Sequence, residues 1–345
     1  MLIKQLVEID GVSGNEDKVR EFIVENIKTN VDEITIDDIG NIIALKRGRD
    51  GKLRVMLSAH MDEVGFICTG YTDTGMVKFK AVGGIDERIL PGKRVIAGEN
   101  KVRGVIGCKA IHLQEKESRD NVIKAKNLYI DIGASSKEEA EKLLPLGEYI
   151  SFQGEYEEYG DNVIKAKALD DRAGCAIIME IINEKKQYDF DLYACFTVQE
   201  EIGLRGAETA SYQVNPDVAI VVEGTTCSDV PGVEGQDQST RLGEGAALSV
   251  MYRSAYYDPA LTKFLYKTAV DNSIKVQYKQ TATGGNDAGK IQTSRTGVKV
   301  AAVSVPVRYI HSPISLMDRR DYNSSKELIL KILEQLDKNG GKYNV

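Results

Sequence analysis

Four apolar runs in this chain have the length of strands, and each stops at a residue able to bind a metal. Residues 53–59 lead into His60, 192–198 into Gln199-Glu200-Glu201, 218–222 into Glu223, and 298–305 into the loop that holds His311. A strand with no polar alternation must be covered on both faces, as parallel strands flanked by helices are. In open α/β sheets the carboxyl ends of the strands line the ligand crevice, so groups distant in sequence converge there. The expected fold class is therefore α/β, a mixed sheet in an α/β/α arrangement.

The flanking segments agree. Residues 1–10 read as a short helix stopped by Gly11. Ser13 with Glu16 forms a capping box ahead of Val19, Phe22, Ile23 and Ile27 at helical spacing. The closing helix shows a second box, Ser324 with Glu327, and an apolar face of Leu328, Ile332 and Leu336. Further strands are expected at 41–45, 248–252 and 274–278. A helix opens at Asp258-Pro259, and a glycine loop spans 283–288. Between 66 and 168 the pattern changes to short β-like segments broken by Gly and charged turns, with one convincing helix at 136–144. The expected organisation is one discontinuous domain, 1–66 with 168–345, and an inserted β-rich, barrel-like domain at 67–167.

Charge and cysteine usage exclude several classes. A net charge of −7 with no basic block argues against nucleic acid and anionic membrane partners. No run approaches the roughly 18 apolar residues of a membrane span. The first residues carry acids within their apolar stretch, unlike a secretory leader, so a cytoplasmic location is expected. The five cysteines are scattered with no CxxC pair and read as reduced core residues.

Residues 167–174, KALDDRAG, place Asp170 and Asp171 where irregular chain enters an apolar helix, 175–182. Either acid alone reads as a helix cap. Likewise His60 reads as a satisfied strand histidine, Glu200 and Glu201 as acids at a helix start, Glu223 as a solvated strand end, and His311 as a cap. Together they form a set. Two imidazoles and three carboxylates suit Zn or Co better than the oxygen cage of Mg. One ion would take His60 and Glu223, the other Glu201 and His311, with Asp170 bridging, since a carboxylate has two oxygens to share. Asp62 is placed to hold the second ring nitrogen of His60. Glu200 remains free as general base, taking a proton from water and passing it to a leaving amine. Only three histidines exist, and the third, His112, is assigned a surface or structural place.

With those residues in view, the chain resembles the dinuclear metallo-aminopeptidase family that includes the glutamyl, deblocking and tetrahedral aminopeptidases. SAHMDEVGF, VGGIDERILPGKRV, IDIGASS, KALDDRAGC, QEEIGLRGA, GGNDAG and PVRYIHSP carry the resemblance over essentially the whole chain. It implies His60, Asp170, Glu201, Glu223 and His311 as metal ligands, Glu200 as catalytic base and Asp62 as the partner of His60. It also implies two divalent ions per subunit, Zn or Co with Mn admitted, and peptide substrates with free N-termini. The insert would serve assembly of a homo-oligomer, typically a tetrahedral dodecamer. Many members have Asp where this chain has Glu223, which implies a different metal preference or affinity. The related clan implies a cis peptide between Asp170 and Asp171.

Two rivals are a deacylase or dipeptidase of the related co-catalytic zinc peptidases and a non-catalytic assembly scaffold. In the former the extra domain usually interrupts the later ligands, whereas here the long gap separates His60 from Asp170. A glycosidase, suggested by the endoglucanase label of some relatives, finds no support in paired acids or sugar platforms. Side-chain preference stays open between acidic, basic and apolar. Arg253 reads either as an attractor of acidic side chains or as half of a structural salt bridge.

Overall fold

The computed structural model describes residues 2–116, 119–281 and 284–343. At its centre four strands run parallel in the order Asp191–Thr197, Arg54–His60, Val218–Thr226 and Lys299–Arg308. Their unbroken apolar sequence is explained by two cores. Val55, Leu57 and Ala59 pack with helices Leu2–Val7, Asp17–Ile27, Leu169–Asn183, Pro259–Asp271 and Arg319–Lys338. Met56, Val221 and Ala302 face the other way, onto helices Arg205–Val214 and Ala288–Ile291. Alternate residues thus bury on opposite faces, and neither face is left for water.

Antiparallel strands close both flanks. Ile42–Lys46 and Glu33–Ile36 lie beyond Asp191–Thr197. Ser315–Asp318, Val163–Ala166 and Glu157–Tyr159 lie beyond Lys299–Arg308. Ala246–Leu248 also pairs with Lys299–Arg308 and carries the short strand Val276–Tyr278. The sheet is mixed, in an α/β/α arrangement.

Between these elements six antiparallel strands close into a barrel: Gly65–Tyr71, Val77–Val82, Tyr129–Asp131, Val102–Gly107, Arg94–Ala97 and Tyr149–Phe152. Phe66 fills its centre, edge-on to Phe79 and to Phe152 with centroids 5.0 Å away in each case. The barrel strands therefore span 65–152, less than the 67–167 expected for the insert at its C-terminal end. Glu157–Tyr159 and Val163–Ala166 belong instead to the large sheet, because Val163–Ala166 registers with Ser315–Asp318 and buries Ile164 and Ala166 in the main core.

Neither capping box forms. Glu16 precedes the helix Asp17–Ile27 without a side-chain cap bond, and Ser13 donates to Asp62 instead. Ser324 and Glu327 lie inside Arg319–Lys338, which starts earlier because the strand Ser315–Asp318 feeds straight into it; Asp318 caps it by accepting from Arg320 N at 2.7 Å. The strand expected at 248–252 ends at Leu248, and Met251 makes only an isolated bridge to Tyr256. Among the described residues no helix is long and apolar enough to cross a membrane.

Candidate metal centre

The two adjacent acids have separate tasks. Their peptide bond is cis, and neither residue has helical dihedrals although both lie within Leu169–Asn183. Asp171 is the cap: Oδ1 accepts from Gly174 N at 2.9 Å and Gly224 N at 3.1 Å, and Oδ2 accepts from His60 N at 3.2 Å. One buried carboxylate thereby ties a helix start to two strands. Gly174 is required here, since a Cβ would stand 2.3 Å from Val222 O. Asp170 is left over. Its Oδ1 is buried with no hydrogen-bond donor among the described residues, 3.4 Å from His60 Nε2, and its Oδ2 lies 3.5 Å from His311 Nε2.

Both imidazoles present Nε2 to this carboxylate. His60 Nδ1 faces the Asp62 carbonyl at 3.1 Å and Asp62 Oδ1 at 3.3 Å, and His311 Nδ1 faces the carbonyl of Gly84 at 2.7 Å. These oxygens only accept, so each Nδ1 carries the proton and a neutral ring leaves a lone pair on Nε2. Gly84 follows a barrel strand, so the insert orients His311. Asp62, fully buried, accepts Glu200 N at 3.0 Å through Oδ1, and Glu201 N at 3.1 Å plus the Ser13 hydroxyl through Oδ2.

Two groups of candidate ligand atoms result, each within 4.8 Å of one another: His60, Glu200 and Glu201; and Asp170, Glu201 and His311. Glu201 belongs to both, and its Oε1 lies 3.2 Å from His311 Nε2. Glu200, expected to stand apart as a base, falls within ligand distance. Glu223 joins neither group. It sits within Val218–Thr226 rather than at a strand end, and lines the same 470 Å³ cavity as Asp170, Glu200, Glu201 and His311. A larger groove of 750 Å³, lined by Asp37, Tyr212 and Arg295, contains none of these groups.

The electrostatics are those of an acid cluster short of cations. Burial and neighbouring acids push Glu200 and Glu223 well above the usual carboxylate range. Burial works against charge on His311, but Asp170 and Glu201 outweigh it and raise the imidazole to about 11. His60 is raised in the same way by Asp170 and Asp62. With protons alone the imidazoles must be charged to face the carboxylates. Divalent cations would supply that charge and satisfy the orphaned Asp170 Oδ1, so the donor set fits metal.

Sequence reasoning missed three supporting residues. Ser13 carried the signature of a cap. Asp287 was visible only as part of a glycine loop; its Oδ2 accepts from Thr197 Oγ1 at 2.5 Å and Ser58 Oγ at 3.3 Å, joining two neighbouring strands behind His60. Lys279, which lines the cavity, had no sequence marker. Arg253 is exposed and makes no ion pair among the described residues; its backbone N–H donates to Gly284 O at 3.0 Å. His112 is exposed in the short turn Ile111–Leu113.

The mixed sheet, the barrel insert and this imidazole–carboxylate cluster define an α/β protein with a candidate metal centre. The profile of the M42 glutamyl aminopeptidase family matches residues 40–328, and the chain belongs to that family. It is 41% identical over 332 residues to a putative aminopeptidase of Acetivibrio thermocellus, covering 96% of this chain and 97% of the relative. The crystal structure of a TET aminopeptidase from Thaumarchaeota archaeon SCGC AB-539-E09 superposes with a TM-score of 0.95 at 33% identity, covering 98% and 96% of the two chains. A Pyrococcus horikoshii TET1 peptidase, described as able to assemble into a tetrahedron or a large octahedral shell, matches with a TM-score of 0.86 at 33% identity over 96% and 98%.

Proposed function

We propose that the protein is a metal-dependent aminopeptidase that removes the N-terminal residue from peptides. The observation that carries this reading is Asp170, a buried carboxylate with an unpartnered oxygen between two imidazole Nε2 atoms. His60 and Glu223 would hold one divalent ion, Glu201 and His311 a second, and Asp170 would be common to both, with Zn or Co as the preferred elements. Bound there, such a pair supplies Lewis acidity toward a carbonyl and a lowered pKa for water.

The remaining work falls to the chain. Glu200 takes a proton from the attacking water and gives it to the leaving amine. Asp62 fixes the backbone of Glu200 and Glu201 and the ring of His60 together, so base and ligands keep one geometry. Likeness to TET assemblies supports a homo-oligomer, with a tetrahedral dodecamer as its expected form.

The test is hydrolysis of aminoacyl anilides and of their N-acetylated counterparts by chelated protein reloaded separately with Zn, Co and Mn. Activity restored by metal and confined to free N-termini is expected. Hydrolysis of the acetylated substrates would favour the deacylase reading, and none with any ion the scaffold reading.

A further inference from the structure

The chain enters the barrel at Gly65, just past His60, and returns to the large sheet through Val163–Ala166, just ahead of Asp170. One ion pair joins these two crossings. Glu63 and Lys167 are each only 3% exposed, and Lys167 Nζ meets Glu63 Oε1 at 2.5 Å across a sequence separation of 104 residues. The same Oε1 accepts from Gly11 N at 3.0 Å, and an Arg172 guanidinium nitrogen stands 3.9 Å away. Lys167 Nζ also lies 3.0 Å from Asp10 Oδ1, while the other Asp10 oxygen pairs with Lys101, in the turn between the barrel strands Arg94–Ala97 and Val102–Gly107. A Cβ on Gly154 would stand 2.8 Å from Lys167 Cβ and 3.1 Å from Pro313 O, so the Lys167 stem also adjoins the loop of His311.

Three ligand-bearing stretches, those of His60, Asp170 and His311, thus converge on one buried ion pair. Glu63 borders the ligands across a gap of only about 10 Å³, lined also by Asp170, Glu201 and His311, and belongs to neither group of candidate ligand atoms. Taking two charges out of water is costly, and apolar side chains of similar volume would hold such a junction at least as firmly. What apolar contact does not supply is direction. A carboxylate fixed by a backbone N–H and by an ammonium sets one separation between the segments it joins.

We infer that Glu63, through its pair with Lys167, is a positioning residue of the metal centre. It sets the separation of His60 Nε2 from Asp170 Oδ1, 3.4 Å in this fold, and so decides whether Asp170 can be common to two ions. This rests on the metal centre of the proposed function and not on its substrate. Without the pair, the segment of Lys167 shifts along that of Glu63, Asp170 turns from one imidazole, and the ion that depends on both is held less tightly.

The experiment titrates Zn and Co into the chelated wild type, Glu63→Gln, Lys167→Met and the double variant Glu63→Gln/Lys167→Met. Calorimetry gives the affinities, the visible absorption of bound Co reports its coordination, and thermal midpoints are recorded on the same samples. Each single variant should bind the more weakly held ion about 10–100-fold less tightly, with an altered Co absorption. The double variant separates positioning from stability, because replacing both members of a buried pair avoids the unpaired charge that removing one leaves. Its midpoint should return toward that of the wild type while the affinity stays about 10–100-fold low. Affinity that recovers with the midpoint, or that equals the wild type in all three variants, overturns the assignment. A single variant that does not fold leaves the double variant to decide, and a double variant that does not fold overturns the assignment, since the pair would then serve stability. A wild type that binds metal yet cleaves no anilide removes the aminopeptidase reading alone, and the titrations still decide; one that binds no metal removes both.

Discussion

Asp62 accepts the backbone N–H of Glu200 at 3.0 Å, while the same side chain lies 3.3 Å from His60 Nδ1. A single buried carboxylate therefore couples the proposed base to a proposed ligand. Asp62→Asn keeps the shape but replaces one acceptor with a donor, which opposes an N–H whichever way the amide turns. Metal affinity and kcat should each fall by about 10–100-fold, as when partners of ligating histidines are lost. Metal titration alongside steady-state kinetics checks this, and near-normal values for both would contradict it.

Arg172 is fully buried and donates to Met61 O at 2.8 Å, Leu6 O at 2.6 Å and Ile9 O at 3.1 Å. It ties the N-terminal helix to the chain just past His60. Arg172→Met removes all three bonds, while Ile9 N still donates to Leu6 O and Lys167 Nζ to Ile9 O; the loss should cost about 1–3 kcal/mol. Thermal unfolding should show the loss, with proteolysis beginning in the first helix. An unchanged midpoint would show that the carbonyls find other donors.

Gly174→Ala tests the contact between the Asp170 helix and the sheet. Its Cβ would meet Val222 O and both Asp171 carboxylate oxygens. Overpacking of this kind destabilises by about 1–3 kcal/mol. Denaturant melts should register it as a lower midpoint with an unchanged slope; a midpoint equal to that of the wild type would mean the helix moves away freely.

Asp321 supplies a pH test away from the metal centre. Its Oδ2 accepts from Gly243 N and its Oδ1 from Gly245 N, both at 2.7 Å, and burial pushes its carboxyl from 3.8 up to about 7 despite those bonds, with Asp318 adding to the rise and Arg320 opposing it. Between these values the folded protein holds a proton that the unfolded chain has released. This contribution is full at acid pH and is lost as pH rises toward 7, by about 1.4 kcal/mol per pH unit. Asp321→Asn cannot ionise, so its melting temperature should gain on that of the wild type as pH rises from 4 to 7. Parallel curves would contradict the shift.

Much of the fold was legible because burial on both sheet faces leaves a direct mark in sequence. The parallel strands could be read from residues 53–59, 192–198, 218–222 and 298–305 for that reason. Boundaries fared worse where local signals compete with tertiary partners. Ser13 and Glu16 have the spacing of a capping box, yet Ser13 serves Asp62 and Glu16 Oε1 accepts from Gln199 N at 3.0 Å, both set by contacts distant in sequence. The end of the barrel was misplaced because Val163–Ala166 resembles the barrel strands in length and alternation, and only its pairing with Ser315–Asp318 assigns it to the large sheet. At the site, the cap and the proposed bridge could not be told apart from the string Asp170-Asp171; three hydrogen bonds to Asp171 separate them. Lys279 was invisible because a lysine after a short strand ordinarily faces water, and only the fold of the Thr225 and Tyr252 segments buries it.

The most direct measurement is Glu200→Gln, assayed for bound metal by elemental analysis and for turnover of a free aminoacyl anilide. Glu200 lies within ligand distance of His60 and Glu201, so geometry admits it as either base or ligand. The expected result is a full complement of two ions per subunit with kcat reduced by about 10²–10⁴-fold, the range for loss of a general acid–base group. Loss of metal in the variant, or turnover at the wild-type rate, would contradict Glu200 as the proton shuttle of a dinuclear aminopeptidase.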